Sequence, residues 1–325
     1  PLNYPTLPGE LSRTGYQTHL VGKLHLWPHR KLYGFNSADW SDGPAPLPGI
    51  GDYEQYLYDN GINSAKAGIS HGCDQNGWIS RPWHLDESLH FTNWAAQKSL
   101  DFLSKRDPTV PFFLQVGFHQ PHQPCTPPAV YWNRYINKEL PQPVVGDWSK
   151  KYDTPQSGSP PAAWRDFLNQ NEQQQYTAGY YGCINHIDNQ IGRIIETLPE
   201  NTLIIFLSDH GEMLGQHGLM TKLMFYKGSA LVPTIIQPPQ DTKTGVISAP
   251  TQSIDITATI LDAAGADPIE GAGGKSLLPA MQGESLDRDI VFSELCGLRG
   301  EGNYFVMAAT ERYRYVYDSE NDLAC

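Results

Sequence analysis

The sequence has no apolar run long enough to cross a membrane and no paired cysteine motif. A membrane-spanning helix needs about 20 mostly apolar residues, and the apolar stretches of this chain, such as residues 203–207, are much shorter. The five cysteines lie far apart and form no C-x-x-C pair, so neither a disulfide scaffold nor a structural zinc site is expected. We interpret most of the cysteines as small interior residues.

Positive charge is also scarce. The chain carries 23 lysines and arginines against 35 aspartates and glutamates, which gives a formal net charge of −12. A negative field of this size opposes broad attraction to nucleic acid or to an anionic membrane surface. An anionic substrate therefore requires positive charge that is concentrated locally.

What is present is the pattern of an α/β protein, since the 325 residues alternate predicted helices and apolar strands. Helices are predicted at residues 6–15, 88–105, 176–198 and 254–264, and strands at 17–22, 112–118, 203–207 and 233–236. This alternation predicts a doubly wound, largely parallel (mixed) sheet flanked by helices. Residues 36–85 look irregular, and residues 137–165 are expected to cross the surface.

From about residue 288 the pattern changes to short strand-like runs at residues 290–295, 304–309 and 312–317. Runs of this length with short turns between them predict a small antiparallel sheet. We therefore divide the chain into an α/β domain, residues 1–285, and the start of a small antiparallel subdomain, residues 286–325.

Polar side chains gather where the predicted strands end, which is where α/β sheets collect functional groups. These side chains are two lysines, four histidines and an aspartate: Lys23, His25, His119, His122, Asp209, His210 and Lys222. Such a set suits the binding of a tetrahedral oxyanion beside a divalent cation. Taken singly, each has a plainer interpretation as a solvated lysine, a pair of histidines separated by proline, or a turn aspartate, so the prediction depends on their co-occurrence.

Several motifs in a fixed order resemble those of the sulfatases of the alkaline phosphatase superfamily, and the resemblance covers nearly the whole chain. They are G-K-x-H at residues 22–25, P-H-x-P at 121–124, S-D-H-G-E-x-L-G-x-H-G at 208–218, K-x-x-x-Y at 222–226 and D-I-x-x-T-x-L-x-x-A-G at 255–265. One departure is Lys227, where relatives commonly have glutamate. The resemblance implies an alkaline-phosphatase-like fold.

The resemblance also implies roles for the matching residues. Asp209 would be a metal ligand, and His210 would contact the metal or a sulfate oxygen. Lys23 and Lys222 would neutralise the sulfate and the charge that grows on the leaving oxygen. The implied cofactor is a divalent cation, with Ca²⁺ expected and Mn²⁺ or Mg²⁺ as alternatives.

His25 and His122 would transfer protons, with His122 as general acid at the leaving oxygen and His25 near the nucleophile, although the two roles could be exchanged. The nucleophile of the family is a formylglycine made from a C-x-P-x-R sequence upstream of G-K-x-H. This chain contains no C-x-P-x-R, and Cys125 is followed by Thr-Pro-Pro-Ala, with alanine in place of the arginine. We therefore expect an N-terminally truncated chain, inactive alone, whose full-length form is matured by a formylglycine-generating or anaerobic maturation enzyme.

The expected function of the full-length protein is the hydrolysis of a small-molecule or carbohydrate sulfate ester. The runner-up is a phosphonate monoester or phosphodiester hydrolase. An interpretation from another class is a non-catalytic relative that binds an anion or a partner, and an oligomer is compatible with all three. Substrate choice is assigned to the loops around His71 and at residues 78–83.

Overall fold

The computed structural model describes residues 4–42, 51–63, 73, 79–147, 149, 163–165, 168–239, 244–296, 304–319 and 323–324. His71 and Trp78, which belong to the loops expected to govern substrate choice, lie outside these residues. The chain forms two compact units, Pro1–Gln142 with Leu168–Pro199, and Pro143–Phe167 with Glu200–Cys325. The predicted domain division at residue 285 stays a prediction.

The first unit is built on a parallel three-stranded sheet in the order β2-β1-β3, with β1 at Gln17–Gly22, β2 at Ser37–Trp40 and β3 at Phe112–Gly117. The central strand β1 is almost entirely buried, as expected for a strand that is covered on both faces. Residues 17–22 of β1 pair in register with residues 112–117 of β3. The ends of the two strands therefore lie side by side.

Two long helices, α3 at Phe91–Lys105 and α5 at Gln170–Ile195, accompany this sheet, together with α1 at Leu7–Arg13 and the short α4 at Ala129–Trp132. The His90 side chain caps α3, and Asn169 and Glu172 form a capping box that starts α5. Phe91 and Trp94 of α3 pack with Val21 of β1 in one buried cluster. The helix thereby closes one face of the sheet.

The prediction that residues 36–85 are irregular was wrong in two places. Besides β2, the segment contains the helix α2 at Asp52–Asp59. Tyr53 and Leu57, one turn apart on α2, are buried against Phe91 and Trp94. The helix is stabilised by this packing, because its own sequence offers few apolar positions and its N-cap, Gly51, makes no side-chain cap.

The second unit contains three sheets among its described residues. Strands β5 at Ile204–Leu207 and β7 at Thr234–Gln237 pair antiparallel, as do β4 at Ala163–Arg165 and β6 at Leu219–Thr221. The third sheet consists of β8 at Val291–Cys296, β9 at Tyr304–Ala309, β10 at Arg314–Asp318 and β11 at Leu323–Ala324, in the order β11-β10-β9-β8. The helices α6 at Lys227–Ala230, α7 at Ser253–Ala263 and α8 at Leu278–Met281 complete the unit.

The α/β class and the small antiparallel sheet near the C-terminus are confirmed. Strand β5 is partly exposed, since Phe206 and Leu207 are each 40% exposed and Ile235 of the paired strand is 63% exposed. An apolar run predicts the strand, but its two-strand antiparallel pairing covers less of it than a central position in a larger sheet would.

Three of the described cysteines, Cys73, Cys125 and Cys183, are buried, and none of the four described cysteines forms a disulfide. This confirms their interpretation as small interior residues. No described helix combines the length and the apolar character needed to cross a membrane.

Candidate functional site

Lys23 follows the last residue of β1 at a point where β1 and β3 approach each other closely. The two strand ends meet as Gly22 opposite Gly117, and the Lys23 N–H donates to the Gly117 carbonyl oxygen at 2.8 Å. A Cβ atom on Gly22 would collide with that carbonyl oxygen, and one on Gly117 would collide with the Lys23 carbonyl oxygen. Glycine at both positions therefore fixes where Lys23 leaves the sheet.

Asp42 holds the loop that carries Lys23 and His25, and no sequence motif pointed to it. Its Oδ1 accepts the backbone N–H of Leu24 at 3.0 Å and of His25 at 2.7 Å. His25 itself is exposed and has a left-handed backbone conformation with φ of 57°. A carboxylate that accepts two backbone N–H groups stabilises this conformation, which a non-glycine residue rarely adopts.

The segment after β3 carries two stacked imidazole rings. The ring centroids of His119 and His122 lie 5.1 Å apart with an interplanar angle of 24°, and His119 also meets the ring of Phe91 edge to face. Nδ1 of His122 lies 3.0 Å from the carbonyl oxygen of Gln123. A carbonyl oxygen can only accept, so Nδ1 bears the proton and Nε2 bears the lone pair of the neutral ring.

Residues well separated in sequence hold this segment in place, and sequence patterns did not point to them. His90 Nε2 donates to the Thr126 carbonyl oxygen at 3.2 Å, while the hydroxyl of Ser80 donates to the carbonyl oxygen of Cys125. The Cys125 thiol itself is fully buried and donates to the Pro121 carbonyl oxygen. Cys125 is therefore an interior residue of this segment, and the expectation that it is not the nucleophile stays a prediction.

In the second unit, Asp209 and His210 follow β5 after a single residue, Ser208. Nε2 of His210 lies 3.6 Å from Oδ1 of Asp209, and the side chains are 28% and 60% exposed. Nδ1 of His210 donates to the carbonyl oxygen of Gly211 at 2.8 Å, which again places the lone pair of the neutral ring on Nε2. Gly211 is packed so closely on residue 228 that a Cβ atom would collide with the carbonyl oxygen of Gly228.

Lys222 follows the fully buried strand β6. The buried Glu212 accepts the backbone N–H of Thr221 at 2.5 Å, and the Met213 N–H donates to the Thr221 carbonyl oxygen at 2.8 Å. The segment after Asp209 thus runs directly alongside the strand that ends at Thr221, just before Lys222. Glu212, a residue quoted in the motif but given no role there, positions Thr221 beside Lys222.

Asp209 and His210 suit a divalent cation in their donor chemistry. A carboxylate oxygen and an imidazole nitrogen are ligands that Ca²⁺, Mn²⁺ or Mg²⁺ sites tolerate, and the Gly211 carbonyl fixes the His210 tautomer whose Nε2 can coordinate. Among the described residues no group of three or more histidine, cysteine, aspartate or glutamate side chains is arranged to hold a metal ion. The assignment of Asp209 and His210 as metal ligands therefore stays a prediction, and it accounts for two ligands.

The structure brings the predicted residues together in two separate groups. The first unit contains the segment of Lys23 and His25 and the segment of His122, at the ends of the paired strands β1 and β3. The second contains Asp209, His210 and Lys222, joined by the hydrogen bonds around residue 212. The convergence of all six on one anion stays a prediction.

Comparison with known proteins identifies the family. The family model described as Sulfatase matches residues 1–266. The chain is 34% identical, over 332 residues, to an arylsulfatase of Clostridium perfringens, a match that covers 95% of this chain and 68% of that protein. The chain belongs to the sulfatase family. A choline-sulfatase of Rhizobium meliloti is 29% identical to this sulfatase-family chain over 335 residues, which cover 96% of the chain and 63% of the relative.

A solved structure confirms the fold of this sulfatase-family chain. The crystal structure of a phosphonate monoester hydrolase of Agrobacterium radiobacter matches 99% of the chain and 75% of its own length, with a TM-score of 0.78 and 22% identity. At this identity the likeness concerns the fold alone. The chain spans about two thirds of the length of the two curated relatives that it matches.

Proposed function

We propose that the full-length protein hydrolyses sulfate esters and that six residues of this chain serve the reaction: Lys23, His25, His122, Asp209, His210 and Lys222. The observation that carries the proposal is an orientation shared by two strand-end histidines. In His122 and in His210, Nδ1 donates to a backbone carbonyl oxygen, at 3.0 and 2.8 Å. Nε2 is thus the ring atom that each histidine offers to substrate or metal.

The lysines supply the electrostatic part of the proposal. A sulfate monoester carries one negative charge, and its ester oxygen gains negative charge as the S–O bond breaks. Lys23 and Lys222 are half-buried side chains in a protein of net charge −12, so they provide the local positive charge that such a substrate requires. Because the strand ends fix their backbone positions, little reorganisation is needed in the transition state.

The histidines supply the proton transfers. When its ring is doubly protonated, His122 donates a hydrogen bond from Nδ1 to the Gln123 carbonyl oxygen and offers the proton on Nε2 to the leaving oxygen. His25, which is exposed at the end of the Asp42-bound loop, acts on the side of the nucleophile. The hydrogen bond to the Gln123 carbonyl fixes the ring of His122, whereas His25 is exposed. We therefore assign the role of general acid to His122.

The proposed reaction also requires a divalent cation and a nucleophile. A divalent cation, Ca²⁺ with Mn²⁺ or Mg²⁺ as alternatives, would be held by the Asp209 carboxylate and His210 Nε2 and would supply Lewis-acid polarisation. A formylglycine would supply the attacking oxygen. Because the 325 residues contain no C-x-P-x-R, the proposal assigns the nucleophile to sequence outside this chain and expects the 325 residues alone to be inactive.

The metal arrangement can be tested in the full-length protein co-expressed with a formylglycine-generating enzyme. Hydrolysis of 4-nitrophenyl sulfate should fall by at least about 100-fold in Asp209→Ala. It should be unchanged in Asp188→Ala, which removes an exposed carboxylate from α5. A chelator should abolish the activity, and added Ca²⁺ should restore it.

A second readout does not depend on turnover. Ca²⁺ at 100 times its dissociation constant should stabilise the wild type and Asp188→Ala by about 2.7 kcal/mol, measured as a rise in Tm, and should not stabilise Asp209→Ala. Equal rates and equal Tm shifts in the three proteins would reject Asp209 as a metal ligand.

A further inference from the structure

The loop that follows β1 exposes an aromatic ring beside the proposed reaction centre. The Trp27 side chain is 77% exposed, and Leu26 and Leu32 of the same loop are 46% and 42% exposed. Large apolar side chains clustered in this way on a surface usually mark a binding site. Each residue of an extended chain spans at most about 3.6 Å, so the Cα atom of Trp27 lies within about 7 Å of that of His25.

The loop is held in an unusual conformation. His25, Arg30 and Tyr33 are three non-glycine residues within nine positions that have left-handed backbone angles, with φ of 57°, 60° and 50°. Such conformations persist only where the surrounding structure enforces them, and they are concentrated at functional sites. The backbone of the loop is tied down at both ends, at Asp42 near His25 and by the Tyr33 hydroxyl, which donates to the Pro28 carbonyl oxygen at 3.2 Å.

The Trp27 ring is braced from one side. Its centroid lies 4.8 Å from that of His29 in an edge-to-face contact, and His29 in turn rests on the buried Trp40 at 5.1 Å. An aromatic ring that is supported from beneath and exposed above loses little side-chain entropy when a ligand stacks on it. The arrangement is therefore a preformed stacking surface.

We propose that Trp27 is a specificity-determining residue that stacks on the ring of a ring-bearing sulfate ester, an aryl or sugar sulfate. The inference rests on the proposed function and adds the class of the leaving group to it. The charges around the ring select this class over a quaternary ammonium ester. Lys23, Arg30 and Lys31 lie on the loop. Asp42 contacts the loop but is only 17% exposed and lies 3.9 Å from Nε2 of His29, and Asp52, which is 30% exposed, contacts it through an ion pair with Arg30 at 3.0 Å.

Binding of sulfonates that cannot be hydrolysed tests the stacking surface without turnover. The probes are phenylmethanesulfonate, which carries a ring, ethanesulfonate, which has none, and trimethyltaurine, which carries a quaternary ammonium group. Calorimetry on the full-length protein should show that Trp27→Ala binds phenylmethanesulfonate about tenfold more weakly than the wild type. Trp27→Phe should stay within about threefold, and the other two probes should bind about equally to all variants.

Tyr58→Ala is the matched control, because Tyr58 is a 60% exposed aromatic residue of α2 in the same unit; its affinity for the ring probe should equal that of the wild type. Equal affinity of the wild type and Trp27→Ala for the ring probe would overturn the inference. So would a loss of self-association in Trp27→Ala without a change in ring binding, which would assign Trp27 to a subunit contact. If ring binding depends on Trp27 but no sulfate ester is hydrolysed, the stacking surface stands and the proposed function fails.

Discussion

At the scale of single residues, the side chain that positions the proposed site most directly is Asp42. Its Oδ1 accepts two consecutive backbone N–H groups of the loop that carries Lys23 and His25. We predict that Asp42→Ala lowers kcat for 4-nitrophenyl sulfate by about 10- to 100-fold, because misplacement of a catalytic group by about 1 Å has effects of that size. Asp42→Asn keeps an oxygen acceptor and should retain most of the activity, and equal rates in Asp42→Ala and wild type would contradict the assignment.

Two lysines five residues apart allow a matched comparison. Lys222 is half-buried after β6, whereas Lys227 is exposed at the start of α6. Removal of a positive charge that contacts the sulfate should cost about 100-fold in kcat/KM, an effect of the size seen for oxyanion-stabilising groups. Lys222→Met should show this loss and Lys227→Met should not. A larger loss in Lys227→Met would mean that the departure from the family at this position has moved the active lysine.

The buried His186 predicts a dependence of stability on pH. Burial lowers the pKa of His186 to about 4, despite the carboxylate of Glu87 at 3.8 Å, and the side chain is 1% exposed among Asn93, His90 and Tyr131. Between pH 6.5 and about 4 the unfolded chain therefore binds a proton that the folded chain does not. The free energy of unfolding should fall as the pH is lowered through this window, by about 3 kcal/mol in total from this residue.

Urea denaturation at pH 7 and pH 4.5 measures this effect. His186→Gln, which keeps a donor for Asn93, should show a smaller loss of stability between the two pH values than the wild type. His25→Gln removes an exposed histidine and should behave as the wild type does. An identical loss in His186→Gln and wild type would show that other groups cause the acid sensitivity.

At the scale of helices and strands, the glycine pair at the ends of β1 and β3 supports a sharp comparison. A Cβ atom on Gly117 would collide with the Lys23 carbonyl oxygen, whereas one on Gly192 of α5 would have no heavy atom within 4 Å. Gly117→Ala should therefore separate the strand ends, displace Lys23, and lower both activity and Tm. Gly192→Ala should leave the activity unchanged and raise the stability by up to about 1 kcal/mol. Similar Tm values for the two variants would contradict the close approach.

Sequence periodicity predicted best the helices and strands in which buried apolar residues recur at a regular spacing. The strand at residues 17–22 and the helix around residues 176–195 have one dominant pattern of apolar residues, and the structure places elements there. The helix at Asp52–Asp59 was missed, because its buried positions include the charged Glu54 beside Tyr53 and Leu57, and its stability comes from distant aromatic residues. Tertiary packing overrode weak local preference.

The sequence pointed to the candidate site residues that belong to a motif. It did not point to the residues that hold those motifs in place. Lys23, His122 and Asp209 are marked by strand ends and motif order. Asp42 and His90 act on partners 17 to 18 and 36 positions away in sequence, a distance that no local pattern reports. Supporting residues of this kind are recognised by their hydrogen bonds in the folded chain.

At the scale of the whole molecule, family membership and net charge together limit how the protein can act on an anionic substrate. A sulfatase-family chain of net charge −12 can act on an anion only through local positive charge. In the proposed function, two lysines and the ligands of a divalent cation come from the two groups of polar side chains. A phosphonate monoester hydrolase shares the fold, so the preference for sulfate esters over phosphorus esters is the property that most needs a test.

The most direct test compares kcat/KM of the matured full-length protein for 4-nitrophenyl sulfate, a phenyl phosphonate monoester and bis(4-nitrophenyl) phosphate. We predict that the sulfate ester is preferred by at least about tenfold over both phosphorus esters and that this turnover is lost in Asp209→Ala. Preference for either phosphorus ester would contradict sulfate ester hydrolysis as the function. The absence of metal-dependent turnover of all three would instead favour a relative that binds an anion or a partner without catalysis.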